Sequence, residues 1–260
     1  MPKTVALWHN IFKIAINAAV EEELLTRNRF KKVTFQLDES DEKVENFFTL
    51  NELDTFLDDA KQNEDIAYYT FLLTVAYTGM RRGEAMGLQW KNIDFKNNKI
   101  TIERTRDIKG TRSPKTLNSY RTIVVDESII KQLENYMKWC KKTLLSDGRK
   151  LKDDLSKEDT FVFISHSGDP IKTTWTAYIF RRILKRWNLP KVTLHGLRHT
   201  HTTVLLNHGV NVEVIAKRLG NTPQMIYSTY GHMFDESEKE AATVFSESLN
   251  TAGAKSGAGI

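Results

Sequence analysis

Thr78-Gly79-Met80-Arg81-Arg82-Gly83-Glu84 is the stretch on which the fold turns. An apolar segment from Ile66 to Ala76 runs into it, and Thr78-Gly79 breaks that helix. Gly83 and Glu84 then lead into a short helix through Met86 and Leu88. Arg81 is therefore expected at the mouth of a turn between two helices. Upstream, Thr49-Leu50-Asn51-Glu52 is a capping box, with a threonine cap and a glutamate reaching back from three residues on. Its helix carries Leu53, Phe56 and Leu57.

Downstream the period changes. Residues 99–106 alternate at period two and predict a strand, with Lys109-Gly110 as a turn. Residues 111–116 and 121–125 complete a small antiparallel sheet. Asp126 caps a helix through about Lys142, and 145–160 predicts a surface loop. Phe161 to Ile164 predicts a short strand. Helices follow at about 173–187, 196–208, 211–219 and 222–229, with Gly220 as a natural C-terminal stop. The fold class is mainly α with a small antiparallel β-sheet (α+β). At the N-terminus, residues 4–27 predict one amphipathic helix whose apolar stripe cannot be buried alone. Residues 28–46 predict a linker. The expected organisation is 1–46 helix plus linker, 47–250 main domain, and 251–260 a disordered tail.

The chain has 260 residues, 40% hydrophobic and 27% charged, which suits a globular domain able to bury a core. No stretch approaches the length of a membrane span, and the N-terminus lacks the apolar region of a signal peptide. Cys140 is the single cysteine, so no internal disulfide forms and a reducing cytoplasmic setting is expected. The net charge of +5 suits an anionic partner such as nucleic acid.

Arg81, Lys115, His195, Arg198 and Tyr230 are the residue types that a metal-free phosphodiester transfer needs. Arginine forks hold phosphate oxygens, a cation protonates the leaving group, and a hydroxyl attacks. Each also has an ordinary structural reading. Arg81 can pair with Glu84 at i+3 on the surface. Lys115, between Pro114 and Thr116, can be a solvated turn lysine. His195 and His199 have the spacing of a helical metal pair, but the glutamate of His-Glu-x-x-His is absent and no cysteine or carboxylate completes a set. No metal or cofactor is therefore expected, and His199 and His201 are expected to cap or pack. Tyr227 and Tyr230 compete as the reactive phenol.

The order of these groups resembles the tyrosine recombinase family of phage and mobile-element integrases, over roughly residues 47–235. Thr78-Gly79-Met80-Arg81 with Gly83-Glu84 looks like the first arginine box. Pro114-Lys115-Thr116, with Ser119 and Arg121-Thr122-Ile123, looks like the lysine segment. His195-Gly196-Leu197-Arg198-His199-Thr200-His201 looks like the His-x-x-Arg box, and Leu219-Gly220 to Tyr230-Gly231-His232 like the tyrosine box. The first helix, with Asn28 to Val33, is similar to the end of the core-binding domain that precedes the catalytic domain.

The resemblance implies a DNA integrase working through a 3′-phosphotyrosine. Tyr230, rather than Tyr227, aligns with the nucleophile. Arg81 and Arg198 clamp the scissile phosphate, and Lys115 protonates the departing 5′ oxygen. His195 bonds the phosphate and helps take the tyrosine proton, while Glu84 orients the arginine and histidine side chains. Asn221 stands where the family usually has histidine, sometimes tryptophan; its amide can donate one hydrogen bond but cannot shuttle a proton. The implied partners are double-stranded DNA, a homotetramer on two duplexes, and accessory DNA-bending or directionality proteins. A helix at about 236–249 is expected to pack on a neighbour. Lys31, Lys32, Arg104, Arg106, Arg112 and Arg121 are candidates for DNA-backbone contact. Two rival functions are a non-catalytic helix-turn-helix over Val210 to Tyr227 and a type IB topoisomerase-like nicking-closing enzyme.

Overall fold

The structure is a computed structural model describing residues 3–33, 46–113, 119–152 and 158–231. The chain divides into two compact units, Met1–Glu45 and Asn46–Ile260. In the first, α1 (Lys3–Glu21) ends earlier than its periodicity predicts. The chain turns just beyond it, where Glu23 adopts a φ of 59°. Phe12 meets Phe30 edge-on at 5.0 Å, and Asn28 donates to Asn17 at 2.6 Å, so the returning segment closes on its own helix.

The second unit is built around α3 (Ile66–Thr78), a helix apolar on nearly every side. Such a helix must be covered all round. It packs against α2 (Leu50–Asn63), α5 (Glu127–Ser146) and α7 (Gly196–Asn207). The Thr49 capping box is present as expected, and Asp65 and Asp126 cap α3 and α5 through their side chains. Phe48, Phe56 and Phe180, the last from α6 (Thr173–Arg186), form one aromatic group of the main core. Trp90, Tyr136 and Phe163 form another.

The predicted strand at 99–106 is two strands in two sheets. β1 (Ile93–Asp94), β2 (Lys99–Ile102) and β5 (Arg121–Val124) make an antiparallel sheet in the order β1-β2-β5, with Ile100 opposite Ile123 and Ile102 opposite Arg121. β3 (Thr105–Asp107) and β4 (Gly110–Arg112) form a separate hairpin. The break at Glu103-Arg104 lets β3 lie on α4 (Arg82–Met86). At Gly83 a Cβ would stand 2.3 Å from the Thr105 hydroxyl, so glycine permits that approach. Phe161 to Ile164 does not form the predicted strand. It makes single bridges, Gln89 with Phe161 and Ile164 with Pro170.

A smaller second core joins α8 (Val212–Leu219) to α9 (Pro223–Tyr230). Val212, Ile215, Ala216, Leu219, Ile226 and Tyr230 bury one another there. Gly220 ends α8 in the left-handed conformation, and Thr222 caps α9 with Pro223 at its first position.

Gly79 ends α3 with φ +64°. A Cβ there would lie 2.6 Å from Leu219 Cδ2 and 2.8 Å from His201 Cδ2. Backbone strain and overlap add, so Gly79→Ala should lower unfolding free energy by about 2–4 kcal/mol. Urea denaturation measures it; a loss below about 0.5 kcal/mol, the range of an innocuous surface change, contradicts this account.

Candidate active site

Gly79 aims the chain so that Arg81 becomes the N-cap of α4. Glu84, three residues on, closes back on it. One carboxylate oxygen accepts from the Arg81 backbone N–H at 2.9 Å and the other from Arg81 Nη1 at 2.9 Å. This is more than a surface i+3 pair, because the Glu84 side chain is only 4% exposed. Arg121 from β5 approaches the same carboxylate, Nη2 at 2.8 Å and Nη1 at 3.2 Å. Its Nε donates to the Arg218 carbonyl at 2.7 Å. Arg81 turns its other amine, Nη2, to Asn221 Oδ1 at 2.6 Å. Asn221 thus accepts from the arginine through its oxygen, and its amide remains the group able to donate elsewhere.

Burial alone would raise the Glu84 pKa. The hydrogen bonds and charge of Arg121, with those of Arg81, outweigh it and hold the carboxyl below its ordinary value of 4.5. A carboxylate with a depressed folded pKa stabilises above its unfolded pKa, and that contribution is lost as pH falls through the folded value. Glu84→Gln would leave Arg121 buried without its counter-charge. The expected cost is about 3–5 kcal/mol in denaturant unfolding, and the variant's acid-unfolding profile should flatten below pH about 4.5. A neutral outcome would mean that the pair is replaceable.

His195 caps α7 without a side-chain capping bond, and its ring lies in the cleft. Desolvating walls first, then His199, Arg198 and Arg81, favour its neutral form. Arg198, one turn on, is buried, with Nη1 on the Gly79 carbonyl at 2.8 Å and Nη2 on the Leu219 carbonyl at 2.9 Å. Burial and the Arg81 charge push its pKa down to about 9, which leaves it cationic at neutral pH. His199, expected to cap or pack, instead meets the proposed nucleophile: its Nδ1 lies 2.6 Å from the Tyr230 hydroxyl. His201 packs as expected. It accepts from Arg218 Nε at 3.1 Å through Nε2, so Nδ1 carries the proton toward the Ala76 carbonyl at 3.1 Å.

Tyr230 is 7% exposed and Tyr227 is 48% exposed on the same short helix. Burial raises the Tyr230 pKa above 10, against the pull of Thr202 and Arg198. The cationic field expected to ease ionisation is therefore outweighed in this conformation.

A cleft of about 590 Å³ has Arg81, His195, Arg106, Arg181 and Asp107 on its walls. Tyr230 joins it through the ring sequence His195, His199, Tyr230, with centroid spacings of 5.0 and 5.8 Å. No group of three or more histidine, cysteine, aspartate or glutamate side chains among the described residues is arranged to hold a metal ion.

Residues 46–237 match the family model described as Phage integrase family. The chain belongs to the phage integrase family. It is 29% identical to a tyrosine recombinase XerC-like protein of Caldanaerobacter subterraneus subsp. tengcongensis, over 95% of this chain and 66% of that protein. It is 27% identical to the ICEBs1 integrase of Bacillus subtilis, over 87% of this chain and 60% of the relative. The chain thus spans less than two thirds of these relatives' lengths. A Tn1549 transposon integrase, solved in complex with a circular intermediate DNA, superposes with a TM-score of 0.75 at 25% identity. That match covers 93% of this chain and 79% of the other.

In this phage integrase family member, three of the four sequence boxes converge on the cleft and the phenol behind His199. Lys115 of the fourth lies outside the described residues, as do 236–249 and 251–260. The expectation for Arg121 is corrected: 4% of its side chain is exposed and it is locked to Glu84, so it supports Arg81 from within and offers nothing to DNA. Glu84 is likewise committed to the two arginines, with no hydrogen bond to a histidine among the described residues. Arg104 pairs with Glu103 and Arg112 with Asp107, both partly exposed. Arg106 donates to the Ile171 carbonyl at 3.0 Å and lies over Phe161. Lys31 and Lys32 are exposed in the first unit. No helix among the described residues is long and apolar enough to cross a membrane.

Proposed function

We propose that this chain is the catalytic part of a site-specific DNA recombinase that cuts and rejoins one strand at a time through a 3′-phosphotyrosine at Tyr230. The observation that carries this reading is the placing of that hydroxyl. It is drawn out of solvent onto His199, close enough to feel the Arg198 charge, while Tyr227 of the same helix faces water.

Arg81 and Arg198 hold the non-bridging oxygens and neutralise the five-coordinate phosphorus. His195 and the Asn221 amide add hydrogen bonds to it. Lys115 protonates the leaving 5′ oxygen. Glu84 acts through Arg81 as a positioning residue. Membership in the family and the likeness to a transposon integrase solved with DNA support double-stranded DNA as substrate. Residues 1–46 are the end of a core-binding domain, and four protomers assemble on two duplexes with accessory bending or directionality proteins. Lys31, Lys32 and Arg106 contact backbone phosphates, so affinity falls as salt rises.

The test is a suicide duplex, nicked so that the 5′ product diffuses away, with the adduct mapped by peptide mass spectrometry. The expected adduct is on Tyr230. DNA binding without an adduct selects the helix-turn-helix alternative. An adduct without strand exchange between two labelled duplexes selects the topoisomerase-like one.

A further inference from the structure

Tyr230 is buried with its pKa raised, so it stays a neutral phenol at working pH. A neutral phenol must release its proton as it attacks, and a positioned acceptor lowers that barrier. The family resemblance gave a share of this task to His195. That ring lies in the cleft, one helical turn from the group that actually reaches the phenol.

His199 Nδ1 stands 2.6 Å from the Tyr230 oxygen, inside the range for direct proton transfer. Its ring stands perpendicular to His195 at 5.0 Å. Burial, then the Arg198 charge, lower its pKa from 6.5, so the imidazole is neutral and has a lone pair to offer. Among the described residues, the titratable and charged groups facing it are His195 and Arg198 from the start of α7 and Tyr230 from α9. Asn221 offers no proton shuttle at the position where the family usually has one.

We propose that His199 is a catalytic residue, the base that takes the Tyr230 proton in strand cleavage and returns it in rejoining; this rests on the phosphotyrosine reading above. In cleavage the O–H bond of Tyr230 breaks and its proton passes to Nδ1. The freed oxygen pair forms the bond to phosphorus. The bond from phosphorus to the 5′ oxygen breaks, and that oxygen leaves as a hydroxyl with a proton from a cationic general acid. Rejoining runs in reverse: the 5′ hydroxyl gives its proton to that acid's conjugate base and attacks, and the imidazolium reprotonates the leaving tyrosine.

The experiment compares the full chain with His199→Gln and His199→Ala in single-turnover cleavage of the suicide duplex. Glutamine can keep a hydrogen bond to the phenol but takes no proton. His199→Gln should cleave about 10²–10⁴-fold more slowly. Because burial and Arg198 hold the His199 pKa below the ordinary imidazole value, the parent's rate should fall only at pH below that ordinary range, as His199 protonates, and the Gln variant should lack that inflection. Added imidazole should partly restore His199→Ala. The second substrate is a DNA strand ending in a 3′-p-nitrophenyl phosphate, attacked by a 5′ hydroxyl. Its leaving group needs no proton and Tyr230 is not used, so the Gln defect should shrink to less than about tenfold. An equal defect on both substrates, or a Gln variant cleaving at the parental rate, overturns the assignment. A parent chain with no adduct at Tyr230 overturns the functional reading and this assignment with it. An adduct at Tyr230 unaffected by His199→Gln overturns the assignment alone.

Discussion

Tyr230→Phe should abolish the covalent protein–DNA adduct while leaving the fold almost unchanged. Both halves follow from where the ring sits. Its carbons are part of the small core with Val212, Ile215, Ala216, Leu219 and Ile226, and phenylalanine keeps all of that packing. The shortest described polar contact removed is the 2.6 Å bond to His199, whose ring is half-buried, with a weaker pull from Thr202. Loss of one such bond costs about 0.5–1.5 kcal/mol, a shift of a few degrees in Tm. The chemistry loses its attacking atom, and no other described hydroxyl is bonded to His199. Tyr227 sits three residues earlier, 48% exposed, so Tyr227→Phe should leave adduct formation within about twofold, the scale of an innocuous surface change. Suicide-substrate trapping with both variants, beside thermal unfolding, gives the four numbers needed. An adduct surviving in Tyr230→Phe and lost in Tyr227→Phe reverses the assignment.

Much of this arrangement was legible in the residues, for physical reasons that differ from element to element. The capping box at Thr49, the buried helix from Ile66 and the stop at Gly220 are local signals, and local signals survive into the structure. The strand predicted at 99–106 divides in two although period two continues through Glu103-Arg104. The break there comes from a tertiary demand, the close approach of β3 to Gly83 of α4. Arg121 could have been recovered. It alternates in phase with buried Ile123 along β5, and a buried arginine needs a carboxylate. The same logic applies to Glu84, whose partner lies 37 positions away. His199 carried no such mark: a histidine on a half-buried helical face looks alike whether it packs or touches a phenol. Only the return of α9 to α7 decides it.

Arg198→Ala should damage stability and rate together, because one guanidinium serves three ends of the fold. It sits on α7, holds the Gly79 carbonyl at the end of α3, and holds the Leu219 carbonyl at the end of α8. Arg81 follows Gly79 by two residues and Asn221 follows Leu219 by two, and those side chains meet at 2.6 Å. Removing Arg198 therefore leaves two buried carbonyls without these donors and loosens the Arg81–Asn221 contact together with the Tyr230 helix. Each carbonyl left unmet costs about 1–3 kcal/mol, for a total of about 2–6 kcal/mol. Loss of the phosphate clamp adds about 10²–10³ in rate, the scale of one missing charge-stabilising donor. Arg198→Lys separates the two effects. Its ammonium keeps the charge but lacks the planar fork that bridges two carbonyls. It should recover little of the stability and little of the cleavage rate, while DNA affinity, shared among many backbone contacts, moves by less than about tenfold. Urea unfolding, filter binding and adduct formation measured on the same preparations test this. A Lys variant with parental stability and parental rate would show that positive charge alone suffices, and that the bridging of α3 and α8 through this side chain has no bearing on catalysis.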